Sequence, residues 1–333
     1  MGNLPFERMD RIKLTRQEAI VSDKYGCDPF KRPIKDLFDF GVVNVDKPSG
    51  PTSHQVSAYV QKILGINKSG HSGTLDPKVT GVLPVAIGRG TRVVQSLLTA
   101  GKEYVCLMHV HAPFETEELK KIMLTDFVGK IKQLPPVKSA VKRQFRYRKI
   151  YYIDILEIKG QDVLFKVGCQ AGTYIRKLCH DIGIAAGSGA HMAELRRTKA
   201  GPFNESTSLA TLQDLTDAVH YYKTDGAEEK LRAIVKPVEM AVNHLPKVWV
   251  SDAAVDTICH GATLKVPGIV HVESDIQVGE PVAVLTLKGE LVCVGESFMI
   301  SKDMISAKKG VAVKSSQVFM PPETYPKMNV TSN

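Results

Sequence analysis

Gly70-His71-Ser72-Gly73-Thr74-Leu75-Asp76-Pro77-Lys78-Val79-Thr80-Gly81-Val82-Leu83-Pro84 is a loop built around one carboxylate that leads into an apolar strand. Its three glycines permit backbone angles and a close ligand approach that a Cβ resists. Pro77 keeps Asp76 out of helical backbone angles and so restricts the attitude of its side chain. Asp76 is also the only acid between Asp46 and Glu103. An isolated Asp-Pro is ordinarily an Asx-turn that satisfies its own backbone. The length and glycine content of this run read instead as an active-site loop.

Outward from the loop, residues 40–45 read as a strand. Ser53 is placed to cap a helix whose Val56, Tyr59, Val60, Ile63 and Leu64 recur at helical spacing, and Gly65 is placed to end it. Residues 82–87 form a short apolar strand, and Val93, Val94, Leu97 and Leu98 line a helix face before Gly101. Strands follow at 104–110, 150–158 and 163–169, with a short helix at 117–124. Thr173 is placed to cap a helix carrying Ile175, Leu178, Cys179 and Ile182. A helical section at 209–242, broken near Pro237, leads to short β pieces after Pro246. Strands and helices alternate without βαβ regularity, which predicts an α+β domain with a mixed, mainly antiparallel sheet and flanking helices.

The 333 residues exceed what one core usually organises, so two units are expected. Forty-four Lys and Arg against 35 Asp and Glu leave a net charge of +9, with a pI near 9.1, which favours a polyanionic partner. The charge is concentrated. Residues 130–149 hold Lys130, Lys132, Lys138, Lys142, Arg143, Arg146, Arg148 and Lys149 with no acid, and Phe145 and Tyr147 lie among them. Cations neutralise phosphates and aromatic faces stack on unpaired bases, so this segment reads as an interaction surface for nucleic acid, expected to move as a thumb-like segment. No apolar run nears the roughly 20 residues that span a bilayer, which points to a soluble, intracellular chain without a membrane partner. The six cysteines are scattered without Cys-x-x-Cys pairs, and no nucleotide-binding or metal-binding motif is present.

Taken whole, the loop resembles the catalytic loop of the TruB and dyskerin-type pseudouridine synthases. The likeness continues through Val45-Asp46-Lys47-Pro48-Ser49-Gly50-Pro51-Thr52-Ser53-His54, Gly101-Lys102-Glu103-Tyr104, Gly172-Thr173-Tyr174-Ile175-Arg176-Lys177-Leu178 and Glu194-Leu195-Arg196-Arg197-Thr198. Further on, Ser251-Asp252-Ala253-Ala254-Val255 and the run from His260 to Ile269 resemble a PUA domain, a small RNA-binding β-barrel. The implied organisation is an N-terminal extension at 1–38 packed on the PUA domain, a catalytic domain at 39–246 and a PUA domain and tail at 247–333.

The resemblance implies isomerisation of uridine to pseudouridine in RNA with no cofactor and no metal. It assigns Asp76 as the catalytic carboxylate, Tyr104 as the ring that stacks on uracil, and Arg176 as the guanidinium that pairs with Asp76. It implies RNA or substrate contacts for His71, Lys47, Tyr174, Leu195, Lys142, Arg143, Arg146 and Arg148. Residues 134–143 and the PUA-like segment are most similar to the archaeal/eukaryotic branch, the catalytic subunit of an H/ACA ribonucleoprotein. Implied partners are an H/ACA guide RNA, a ribosomal RNA substrate with transfer RNA as a further one, and small accessory proteins of zinc-ribbon, Gly/Arg-rich and kink-turn-binding types. The missing lysine-rich tails favour the archaeal type and a cytoplasmic location over a nucleolar one. The competing readings are a stand-alone synthase for the transfer RNA T-loop, which can coexist with the first, and a non-catalytic RNA scaffold.

Overall fold

A computed structural model describes residues 2–135 and 142–327. Two sheets organise the chain. The larger has eleven strands, and its main path runs Leu209–Ala210, Phe40–Lys47, Thr80–Gly88, Ala190–Ala200, Lys102–Val110, Asp162–Cys169, Arg146–Lys159 and Gly129–Gln133. Most neighbours are antiparallel. The exceptions among the described strands are Leu209–Ala210 beside Phe40–Lys47 and Thr80–Gly88 beside Ala190–Ala200. Fully buried strands of this kind read as continuous apolar runs, as residues 82–87 do.

The helix Ser53–Leu64 begins one residue earlier in its capping than the sequence suggests. Thr52 is the N-cap, its hydroxyl accepting from the Gln55 amide while Gln55 reaches back to the Thr52 amide. Ser53 is thereby freed for a different task, because its Oγ accepts from the Leu75 amide at 2.8 Å and ties the helix to the loop. Gly65 ends the helix at φ 68°, as the left-handed cap requires. Thr173 likewise does not cap the helix Ile175–Ala185. Its hydroxyl donates to Gln170 O at 2.7 Å, and Tyr174 occupies the N-cap position. The section at 209–242 is two helices, Leu212–Asp225 and Glu229–Ile234, with the strand Val235–Pro237 and a 3-10 turn after them.

The second sheet has seven strands in the order Lys13–Thr15, Ile269–Glu273, Lys247–Val250, Pro281–Thr286, Leu291–Ser297, Val311–Val318 and Leu264–Lys265. Its first strand comes from the N-terminal segment, pairing Leu14 with Val272. That segment also reaches the larger sheet, where Gly2 N donates to Asp154 and Lys199 pairs with Glu7. The two sheets share one apolar cluster, in which Val42, Val82, Leu97 and Phe203 meet Ala283, Leu285, Leu291 and Phe319. Burial of that cluster, at about 25 cal/mol per Å² of apolar surface, joins the two units.

Candidate active site

The loop that holds Asp76 is suspended between the strands Ser69–His71 and Thr80–Gly88. Leu75 is buried in the core immediately before the aspartate, while Asp76 itself stays 54% exposed. Its backbone is closed by Val79 N donating to Asp76 O at 2.9 Å and by Gly50 N donating to Pro77 O at 2.9 Å. Beneath it lies Lys47, fully buried. The Lys47 ammonium donates to Pro48 O, Pro77 O and Val79 O at 2.8, 2.9 and 2.8 Å. Burial pushes Lys47 below the ordinary lysine value, with the Arg197 charge acting the same way and Asp76 opposing. The expected RNA contact for Lys47 is therefore corrected: all three of its protons face main-chain carbonyls, and it holds the loop from within.

Arg176, one residue into the helix Ile175–Ala185, donates Nη2 to Asp76 Oδ2. Both side chains are about half exposed, so the pair adds at most about 1 kcal/mol to folding. Its contribution is orientation of the carboxylate rather than stability. Tyr104 lies within reach of the Asp76 charge from the strand Lys102–Val110 and is only 9% exposed. Burial pushes its phenol above the ordinary value, while Arg197 beside it opposes the shift. His71 accepts from Gly73 N through Nδ1 at 3.4 Å, and burial lowers its pKa, which favours the neutral imidazole.

The remaining expected residues form the rim. Tyr174 is half-buried, its amide donating to Gln133 Oε1 at 3.0 Å while Gln133 Nε2 donates back to Tyr174 O at 3.1 Å. This two-bond clasp ties the end of the strand Gly129–Gln133 to the helix that carries Arg176. Arg148 donates Nε to Gly172 O at 3.1 Å, and Arg146 lies half-buried beside it on the same strand. Lys142 and Arg143 are exposed. Leu195 packs partly against the core cluster that contains Tyr104. Residues 136–141 of the expected thumb lie outside the described residues. The described part carries Lys130 over the Tyr147 ring and Lys132 over the Phe145 ring, both at 4.3 Å. A cavity of about 670 Å³ beside it is lined by Lys130, Lys132, Arg143, Phe145 and Lys177.

Three residues to which the sequence assigned no role adjoin the site, although Glu103 and Arg197 stand within the quoted motifs. Arg197 is buried behind Tyr104, Gln133 clasps Tyr174, and Glu103 accepts from the Tyr152 and Thr198 hydroxyls. For Arg197 the available signal is strand alternation, since a cation sharing a face with Leu195 conflicts with an apolar interior. The assembled chemistry is an accessible carboxylate aimed by a guanidinium, a neutral buried phenol beside it and a cationic, aromatic rim. Among the described residues no group of His, Cys, Asp or Glu is arranged to hold a metal ion.

Comparison with known proteins gives this geometry a family. The N-terminal domain of TruB family pseudouridylate synthases matches residues 61–175, and the tRNA pseudouridylate synthase B C-terminal domain matches 176–243. A PUA domain matches 246–319 and a DKCLD (NUC011) domain matches 3–57. A probable tRNA pseudouridine synthase B of Methanopyrus kandleri is 55% identical over 97% of this chain and 95% of its own. The protein of that name from Thermococcus kodakarensis is 54% identical over 98% of this chain and 96% of its own. Among solved structures, a Cbf5-Nop10-Gar1 complex contains a chain with TM-score 0.93 and 53% identity, covering 98% of this chain and 99% of that one. A structure of an H/ACA RNP bound to a substrate RNA containing 2'-deoxyuridine contains another, with TM-score 0.91 and 50% identity over 98% of this chain and all of that one. With four family models matched between residues 3 and 319 and relatives more than 50% identical along nearly the whole chain, this protein belongs to the TruB/Cbf5-type pseudouridine synthases.

Proposed function

We propose that this enzyme isomerises selected uridines in RNA as the catalytic subunit of an H/ACA-type ribonucleoprotein, and that Asp76 is its reacting group. The observation that carries the reading is the Asp76–Arg176 pair, held at an open surface beside the buried Tyr104. The reaction breaks the bond from the ribose anomeric carbon to the base nitrogen, turns the base, and joins the same carbon to a ring carbon. One proton leaves that ring carbon and one is gained at nitrogen, so atoms balance without a cofactor. Asp76 acts either as nucleophile at the anomeric carbon or as base at the neighbouring ribose carbon. Both routes need an aimed carboxylate, and the bond from Arg176 holds Asp76 in one attitude.

The target base must leave its stack to reach Asp76, and Tyr104 is placed to receive it. His71, Tyr174 and Leu195 line the approach, while Lys142, Arg143, Arg146 and Arg148 meet the backbone from the rim. The division into an N-terminal extension at 1–38, a catalytic unit at 39–246 and a PUA unit at 247–333 fits this work, with guide RNA on the PUA unit. Partners matching the Nop10 and Gar1 of the similar complex are proposed on that likeness, and a guide RNA, a kink-turn-binding protein and a ribosomal RNA substrate complete the proposal. A cytoplasmic location of the archaeal type belongs to the same proposal. Action on the transfer RNA T-loop is a second reading, favoured by the names of the similar proteins.

The test is product formation by wild type and Asp76→Asn, on ribosomal RNA with guide and partners and on transfer RNA alone. Asp76→Asn is expected to lose turnover while keeping RNA affinity and stability, the latter within about 1 kcal/mol because the pair is exposed. Normal turnover by that variant refutes the assignment. Activity confined to the T-loop and indifferent to guide RNA refutes the ribonucleoprotein reading.

A further inference from the structure

The largest fully buried side chain among the described residues is a cation, Arg197, 1% exposed on the strand Ala190–Ala200. Its Nε donates to Val82 O at 2.7 Å and its Nη2 reaches Gly73 O at 3.5 Å. Burial pushes Arg197 below the ordinary guanidinium value. The groups that oppose this are first the Tyr104 hydroxyl and then Cys169; neither is a carboxylate. A buried charge without a carboxylate partner is costly, and chains keep such conflicts mainly where a site needs them.

The backbone around Arg197 is shaped to put it there. Cross-strand pairing runs Glu103 to Lys199 and then Tyr104 to Arg197, so Thr198 is the extra residue of a β-bulge. A bulge re-aims the side chains that flank it. This one is clamped from behind, because the Thr198 hydroxyl donates to Glu103 Oε1 at 2.7 Å and the Tyr152 hydroxyl donates to Glu103 Oε2. On the other side Gly81 pairs with Arg197, where a Cβ would stand 2.2 Å from Arg197 O. Bulge and glycine together bring the guanidinium between the Tyr104 hydroxyl and the loop that carries Asp76.

We propose that Arg197 is a positioning residue, whose buried fork ties the Tyr104 hydroxyl to Gly73 of the Asp76 loop and so fixes the stacking ring relative to the carboxylate. This rests on the roles given above to Tyr104 and Asp76, and deepens that reading. While the base is detached from its ribose and turning, the pocket alone holds it. A ring free to shift by an ångström would lose the aligned geometry on which rate depends. The job suits arginine, whose planar fork presents donors at separated points, whereas a lysine's three donors leave one nitrogen.

The test is a double-mutant cycle in single-turnover assays on substrate RNA, with Arg197→Lys, Tyr104→Phe and both together in the full chain. Arg197→Lys is expected to slow the chemical step by about 30-fold with RNA affinity unchanged within about 2-fold, and to cost less than about 3-fold more once the hydroxyl is gone. An equal cost in both backgrounds, or a loss confined to RNA affinity, overturns the proposal. Should Arg197→Lys not fold, the wild type still decides the matter. Its tyrosine 13Cζ resonance that disappears in Tyr104→Phe must differ from that of the exposed Tyr147, and coincidence of the two overturns the proposal. Asp76→Asn in parallel separates the failures: if it is inactive, additivity counts against Arg197 alone, whereas if it turns over normally, both readings fall.

Discussion

Replacing Lys47 by methionine keeps the buried stem and removes the ammonium that holds the catalytic loop. All three carbonyls lose the ammonium, but Pro77 O retains Gly50 N at 2.9 Å, so the loss falls on two, those of Pro48 and Val79. Each buried polar group left unpaired costs about 1–3 kcal/mol, or about 2–6 kcal/mol for two. Removing a buried cation returns part of its desolvation cost. The expected net loss is therefore about 2–4 kcal/mol, read as a lower urea midpoint. Hydrogen exchange should quicken at Gly50 and Val79, whose amides close the loop around Asp76. Single-turnover rate should fall with it, because Asp76 loses its fixed backbone while the residue itself remains. A loss below about 0.5 kcal/mol with unchanged protection at both amides would show that the ammonium is not what holds the loop.

Arg32→Ala should cost about 3–5 kcal/mol, because it strands Glu239 in an environment where both partners are about 10% exposed. Arg32 donates to both Glu239 oxygens at 2.9 and 2.7 Å, and Glu239 also accepts from Leu291 N, so the loss should open the N-terminal segment to limited proteolysis. Pairing it with Glu239→Gln should cost less than the sum of the two single changes. His244, pushed down to about 4 chiefly by burial, predicts a pH effect. The unfolded chain takes up its proton near 6.5 and the folded chain near 4, so His244 stabilises fully above about pH 6.5. That stability is lost as pH falls toward 4, at up to about 1.4 kcal/mol per pH unit. Urea titrations across that range should show a shallower slope for His244→Asn, and an identical slope would exclude His244 as the source.

Much of the catalytic unit is legible along the chain because its signals are local. Glycine spacing and Asp-Pro mark the loop, apolar runs mark the buried strands, and Gly65 marks a helix end. The places where a local reading errs share a cause. Ser53 and Thr173 both have hydroxyls suited to capping, yet one bonds the Leu75 amide and the other Gln170 O. Which of several adjacent hydroxyls caps a helix depends on what packs against it. Lys47 misleads for a related reason, since a lysine in a Pro/Gly-rich segment ordinarily faces water, and here three carbonyls converge on it from residues 48, 77 and 79.

The sequence alone determined the composition of the site: one carboxylate in a restricted loop, a basic aromatic segment, and the motif set that carries Asp76, Tyr104 and Arg176. Those are covalent facts about order and spacing. Only the tertiary structure decided which charges face the pocket and which lie beneath it. Asp76 and Arg176 meet across 100 residues at the surface, while Lys47 and Arg197 are turned inward. A one-residue bulge and a glycine at a close strand contact make that division, and neither the register of two strands nor the burial of a charge is written in the residues that pair.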